Sequence, residues 1–170
     1  MVKRAKTVAS EALAKMPTGK RYEKSFMHRE TVSYLLVSGK HDMVFTASDD
    51  GYLKFWKKGQ VVIEFVKTFR AHLHRITGMA LTPNEQRLVT VCQEEQSIKL
   101  FDVPNFDVIH FIRVGFAPGE CDFVSKVTSF SPILAVAELP INGGEDPEAK
   151  ASAAGAIRLV KVEQVSTKMD

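Results

Sequence analysis

An internal repeat governs what this chain can become. Val32 aligns with Ile76 at an offset of 44, and the same offset lays His28 on His72. Leu53-Lys54-Phe55-Trp56 aligns with Ile98-Lys99-Leu100-Phe101 at an offset of 45, so the second copy holds one extra residue in between. A chain that repeats at such a period builds stacked units, none of which can bury its apolar face alone.

Each unit reads as short β runs broken by turn residues. In the first, the runs Thr31–Val37, Met43–Ala47, Tyr52–Trp56 and Gln60–Val66 are separated by Ser38-Gly39-Lys40, Asp49-Asp50-Gly51 and Lys57-Lys58-Gly59. Asp-Gly and Ser-Gly are hairpin signals because these residues adopt positive φ at little cost. Four strands in so short a span make one antiparallel meander. The second unit offers Gly78–Thr82, the turn Pro83-Asn84, Arg87–Val91 and Ile98–Phe101. A fainter third starts near Glu120–Val124, continues through Ile133–Ala137 and resumes at Ile157–Val162. Residues 139–155, rich in Gly, Glu, Pro and Ala, interrupt it as an inserted surface loop.

The charge is uneven. Residues 1–24 hold seven Lys and Arg against two Glu, a local +5, whereas the whole chain of 170 residues carries +3. The basic character therefore belongs to a tail over residues 1–21, closed by Pro17-Thr18-Gly19, which is expected to be disordered. Lys3-Arg4-Ala5-Lys6 suits a weak nucleic-acid or nuclear-import contact, or simply a solvated end. With 45% hydrophobic and 25% charged residues the body is globular in composition. No apolar run approaches the length of about 18 residues that a spanning helix needs, so no membrane is expected. Two cysteines, Cys92 and Cys121, make no disulfide scaffold and suit a reducing compartment.

A period near 44 with four strands per unit and a His-to-Trp spacing inside it resembles the WD40 blade. The fold expected is all-β: a WD40-type β-propeller fragment of about three four-stranded antiparallel blades, its ring not closed. Blade one spans 22–66, blade two 67–113, and a degenerate blade three 114–165. Closed propellers have about 4–8 blades, so both ends of a three-blade arc should expose apolar faces.

In such blades a His, a Ser or Thr, an Asp in a tight turn and a Trp form a buried hydrogen-bond chain. By position these are His28, Ser48 (or Thr46 on the same face), Asp50 and Trp56 in blade one. Blade two keeps His72 but has Glu95 and Phe101 where Asp and Trp would stand. Phe has no N–H to donate, so blade two is expected to be held by apolar packing alone. Three sharper readings compete with structural ones. His72 and His74 form an H-x-H pair that would face one way on a strand and could bind zinc, but no further ligand stands at fixed spacing. Asp49 and Asp50 could pair as catalytic carboxylates, yet their place before Gly51 reads as a turn. Cys92 or Cys121 could be a nucleophile beside a His, while Cys92, in or beside an apolar strand, reads as a small buried residue. There is no P-loop, G-x-G-x-x-G, G-x-S-x-G or H-E-x-x-H motif.

Tyr22–Glu30, Ser48–Lys58, Glu64–His72 and Ile98–Val103 together resemble the start of one WD40 family, the cyclophilin-type peptidyl-prolyl isomerases with N-terminal WD repeats. The resemblance covers roughly Tyr22 to Val162. It implies a nuclear protein, with the cytoplasm as the alternative, whose propeller docks spliceosomal or chromatin proteins. The family's isomerase activity belongs to a C-terminal cyclophilin domain with an Arg-centred pocket, to which nothing here is similar. The expectation is therefore a protein-interaction scaffold with no catalytic residue, cofactor, metal or small-molecule substrate, cut from a longer isomerase by a truncated gene model, a short isoform or a split. Lys57, Lys58 and the 139–155 insertion are the candidate rim contacts for partner proteins, and the basic tail a weak one for nucleic acid.

Overall fold

The computed structural model describes residues 25–124, 132–140 and 156–162. The described residues form eleven strands and no helix, so no helix among them is long and apolar enough to cross a membrane. The first sheet holds β1 (Val32–Ser38), β2 (Met43–Ser48), β3 (Tyr52–Lys58) and β4 (Ile63–Arg70) in sequence order. The second holds β5 (Gly78–Leu81), β6 (Arg87–Cys92), β7 (Ser97–Asp102) and β8 (Asp107–Arg113), again in order. The third holds β9 (Pro118–Phe123), β10 (Ile133–Glu138) and β11 (Ile157–Lys161). Every pairing is antiparallel. The three sheets are separate, as expected of an open propeller fragment. A fourth strand for the third sheet is not among the described residues. The tail and most of the 139–155 insertion lie outside them too.

Turn chemistry sets where the strands end. A residue at positive φ sits in each of five hairpin turns: Asp42, Gly51, Glu85, Gln96 and Phe106. The β2–β3 turn is closed by Gly51, whereas the β6–β7 turn is one residue longer and uses Gln96. That is the extra residue of the second copy. The fourth strand of the first sheet differs from its expected span, Gln60–Val66. The Gly59 N–H donates to the Val62 carbonyl at 2.9 Å, so Val61 and Val62 belong to the hairpin turn. The strand therefore runs to Arg70, past residue 66.

The second sheet is buried on both faces because alternate residues of a strand point opposite ways. Leu88, Phe101 and Met79 pack against Phe45, Phe55, Leu53 and Met43 of the first sheet. Val89, Val91, Ile98 and Leu100 face Leu134 and Val136 of the third. Phe55 anchors the first interface, its ring centroid 5.0 Å from Phe45, 5.5 Å from Phe69 and 6.3 Å from Phe101. A fully buried Phe contributes about 1.5–3 kcal/mol by area removed from water, so this cluster is the main adhesive between the two sheets. The leading strands β1, β5 and β9 are tied by polar contacts. The Tyr34 hydroxyl donates to the Thr77 carbonyl at 2.5 Å, and the Thr77 hydroxyl to the Pro118 carbonyl at 2.7 Å.

Candidate functional site

Two histidine-centred networks occupy equivalent places in the first two sheets. Each His stands in the segment before a leading strand and reaches the second strand of the sheet behind it. His28 Nε2 lies 2.7 Å from Thr46 Oγ1, and His28 Nδ1 lies 2.7 Å from Ser48 Oγ. Trp56 Nε1–H donates to Thr46 Oγ1 at 2.8 Å, and Ser48 Oγ–H donates to the Asp50 carboxylate. Both Thr46 and Ser48 therefore belong to the chain, where sequence reasoning offered them as alternatives.

The hydroxyl inventory fixes the direction of the protons. Ser48 has one hydrogen and gives it to Asp50, so it accepts from His28 Nδ1–H. The neutral ring then accepts at Nε2 from the Thr46 hydroxyl, which itself accepts from Trp56. Burial, and next the nearby Lys54 ammonium, lower the His28 pKa, which agrees with a neutral ring. From Trp56 to Asp50 every hydrogen bond points the same way.

The second network corrects the expectation that blade two relies on apolar packing alone. His72, 1% exposed, sits 2.7 Å from Glu95 Oε2 through Nδ1 and 2.9 Å from Thr90 Oγ1 through Nε2. Ser97 Oγ–H donates to Glu95 Oε2 at 3.0 Å, and the Leu73 N–H donates to Oε1 at 2.6 Å. Burial pushes the Glu95 carboxyl up, but the Leu73, His72 and Ser97 hydrogen bonds outweigh it and hold the pKa down to about 2. Burial likewise lowers the His72 pKa, so a neutral imidazole donates from Nδ1 to a carboxylate. Glu is one methylene longer than Asp and reaches the ring directly, where Asp50 needs Ser48 as a bridge. The chain closes from the acid side without the Trp that Phe101 replaces.

Thr90 stands 44 residues after Thr46, the offset that relates His72 to His28, so its role was visible in the repeat. The two networks also touch. The His72 N–H donates to the Gly51 carbonyl at 3.1 Å, and a Cβ on Gly51 would stand 2.2 Å from the His72 carbonyl oxygen. Only glycine fits that turn, on grounds of space as well as of φ.

The remaining candidates fall into structural roles. His72 and His74 lie in the segment between β4 and β5, not on a strand, so strand alternation does not align them. His74 points outward and pairs with Glu94 at 2.6 Å. His72, Cys92 and Glu95 do bring one ligand atom each within 4.8 Å of one another, a grouping with metal-binding chemistry. Both nitrogens of His72 are already engaged with Glu95 and Thr90, so a cation there would have to break the network. Asp50 turns into the first network while Asp49 pairs with Arg75 at 3.0 Å, so the two carboxylates do not act as a dyad. Burial raises the Cys92 thiol, and burial with Glu120 and Asp122 pushes Cys121 up to about 12. Neither is poised as a thiolate nucleophile.

The outward face of the first sheet carries Leu35, Val37, Val44, Trp56 and Ile63, with Leu35 60% and Val37 61% exposed. Several of these, with Met27, His28 and Val32, line a groove of about 380 Å³. Lys57 and Lys58 are both exposed, and Lys57 lies on the opposite face of the sheet, lining a second pocket with Met43, Val103 and Phe106.

Comparison with known proteins agrees with this architecture. The model of the WD domain, G-beta repeat, matches residues 21–57 and 63–102, the second match running from β4 to β7. The chain carries WD40 repeats. It is 40% identical to peptidylprolyl isomerase domain and WD repeat-containing protein 1 of Homo sapiens over 112 residues, 66% of this chain and 17% of that protein. It is 36% identical to peptidyl-prolyl cis-trans isomerase cyp15 of Rhizopus delemar over 80% of this chain and 22% of the relative. Identity to peptidyl-prolyl cis-trans isomerase CYP71 of Arabidopsis thaliana is 38% over 74% of this chain and 20% of the relative. The resemblance to isomerases with WD repeats therefore stands, and the chain spans about a fifth of the length of these curated relatives.

Proposed function

We propose that this WD40-repeat chain is the docking part of a nuclear peptidyl-prolyl isomerase system, a non-catalytic scaffold that binds other proteins through its rim and open sheet faces. The observation that carries the reading is the fate of the reactive groups. His28, His72, Asp50 and Glu95 are each engaged in a network that ties the strands of one sheet to the segment before it. Uncatalysed X–Pro rotation meets a barrier of about 18–20 kcal/mol, and lowering it needs a pocket with a fixed donor aimed at the amide. The groove on the first sheet is apolar, and in the polar pocket beside Arg29 and Tyr52 the Lys54 ammonium is already bonded to the Phe26 and Met27 carbonyls.

Spliceosomal or chromatin proteins are the partner classes we assign, with Lys57 and Lys58 as rim contacts and the basic tail as a weak nucleic-acid contact. An exchange-NMR isomerisation assay on an X–Pro peptide tests the reading, with a rate equal to the uncatalysed one expected. Faster exchange would sink it. The relatives' names support a second reading, in which the whole protein is an isomerase and this chain is one piece of it. Sequencing the mature message beyond the codon for Asp170 tests that: a frame continuing into a cyclophilin domain supports it, and an immediate stop codon removes it.

A further inference from the structure

Away from the two networks, a smaller pocket opens where the turns of neighbouring sheets meet. Its walls are His41 and Met43 at the β1–β2 hairpin, Lys57 near the end of β3, and Val103, Pro104 and Phe106 of the β7–β8 turn. The first and second sheets are already packed together around Phe55, so the pocket stands whatever covers the outer faces of the first and third sheets. The turns that wall it are anchored. The Val103 N–H donates to the Gln86 carbonyl at 2.9 Å, and Lys67 Nζ donates to the Phe106 carbonyl at 2.6 Å. The His41 N–H donates to Ser38 Oγ at 3.2 Å.

Four of the walls are apolar, and the two polar ones are unspent. Lys57 stands opposite Met43, and the alternation that sends Phe55 inward puts its stem on the pocket side. Its ammonium has no hydrogen bond or ion pair among the described residues, not even with Glu64, its neighbour on β4. His41 Nε2 is buried and likewise has no partner, a costly state for a polar atom. Two acids of the adjoining turns are occupied: Glu85 accepts from the Ser38 hydroxyl and the Lys40 N–H, and Asp102 accepts from the Asn105 N–H. Asp42 and Asp107 belong to the same turns without lining the pocket. The volume is about 230 Å³, below the roughly 300–1,000 Å³ of sites for drug-sized molecules. It suits one side chain of a peptide. An exposed lysine is a point charge on a flexible stem, fit for recognition and not for the fixed aim that catalysis needs.

We propose that this junction of the first and second sheets docks an acidic peptide segment of a partner protein. One Leu, Ile, Met or Phe side chain of the segment packs against Met43, Val103 and Phe106, and an adjacent Asp or Glu pairs with Lys57. The His41 ring, turned toward the occupant, gives Nε2 the partner it lacks. The assignment rests on the docking role proposed above and names its contact. Nucleic acid fits less well, because its affinity comes from many cations along a run of phosphates, and here one lysine stands among apolar walls.

Selection of random dodecapeptides displayed on phage, with the full 170-residue chain as bait, tests the proposal. Enriched peptides should carry Asp or Glu next to Leu, Ile, Met or Phe. In amide correlation NMR their synthetic forms should shift the resonances of His41, Met43, Val103 and Phe106. Lys57→Gln, at an exposed position, should leave the spectrum of the free chain in place and weaken binding about fivefold, the loss of one exposed charge pair. Asn or Gln in place of the peptide's acid should cost the wild-type chain the same. Peptides that bind Lys57→Gln unchanged, that keep their affinity without the acid, or that shift only other amides overturn this site and leave the docking role standing. Enrichment of no peptide at all overturns the docking role with it.

Discussion

The first and second sheets solve one problem with different parts. Both must hold a histidine from the preceding segment against the second strand of the sheet, and both use a threonine at the same register, Thr46 and Thr90. The first then runs through Ser48 to Asp50 on one side and ends on Trp56 on the other. The second joins Glu95 directly to the ring, braces that carboxylate with Ser97 and the Leu73 N–H, and leaves Thr90 without an indole. What matters to the fold is that a buried imidazole finds an acceptor and a donor, not which side chains supply them. A longer acid has replaced an acid–serine pair.

Burial sets the energies apart. His72 is enclosed and faces an ionised carboxylate, whereas His28 is half-exposed on the bare side of the first sheet. His72→Ala should therefore cost about 2–4 kcal/mol, because it leaves Thr90 without its partner in the interior and takes from Glu95 one of its three hydrogen bonds. His28→Ala should cost about 1–2 kcal/mol, since water can reach the groups it leaves behind. Urea unfolding monitored by intrinsic fluorescence measures both, and equal costs would break the distinction between the two sites.

Acid separates the sheets next. Glu95 is held at about 2, below its ordinary 4.5, so its contribution is complete above about 4.5 and is lost as pH falls from there toward about 2. His72 and His28 are lowered from 6.5, so the unfolded chain takes up protons first and stability already declines below about 6.5. Stability should accordingly fall in two stages on acidification. Glu95→Gln should shrink the lower stage, to which Glu85, held down by the Lys40 N–H and the Ser38 hydroxyl, also contributes, and keep the upper one. A variant whose lower stage is undiminished would show that Glu95 is not among the groups responsible.

Much of this was legible in the sequence, and the failures have physical causes. The repeat predicts three sheets, and the resemblance to WD40 blades implies His28, Ser48 (or Thr46), Asp50 and Trp56 by their position in the first of them. The second network escaped because Glu95 and Phe101 were matched by residue type, where the chemistry asks only for an acceptor within reach of Nδ1. Val61-Val62-Ile63 looked like the body of a strand, yet Val61 is 92% exposed at a turn closed by Gly59. Hydrophobic runs report β propensity, and only the turn hydrogen bond says where the strand begins. The pairing of Asp49 with Arg75 was equally hidden, since it depends on a contact between neighbouring segments.

Exchanging the parts tests whether the two solutions are equivalent. Glu95→Asp withdraws the carboxylate by one methylene and should cost about 1–2 kcal/mol through a lengthened or lost bond to His72. Cys92 stands 44 residues after Ser48, at the place where the first network keeps its bridging hydroxyl. Adding Cys92→Ser to Glu95→Asp should then recover part of the loss, with a coupling energy of about 0.5–1 kcal/mol in a double-mutant cycle. Additive effects would mean that the bridge cannot be rebuilt in the second sheet.

The smallest change moves in the opposite direction, giving the first sheet the residue that the second already has. Trp56→Phe removes the indole N–H that donates to Thr46 at 2.8 Å but keeps a ring able to meet Phe65, whose centroid lies 5.6 Å away. Thr46 still donates to His28, so no buried group is left without a partner, just as Thr90 is satisfied by His72 beside Phe101. Trp56 is only half-buried, so little packing is lost. The cost should be about 0.5–1 kcal/mol, the net worth of one neutral hydrogen bond. A loss of several kcal/mol in the same unfolding experiment would mean that the indole anchors the first sheet in a way the second has no need of, and the two networks would then differ in kind and not only in parts.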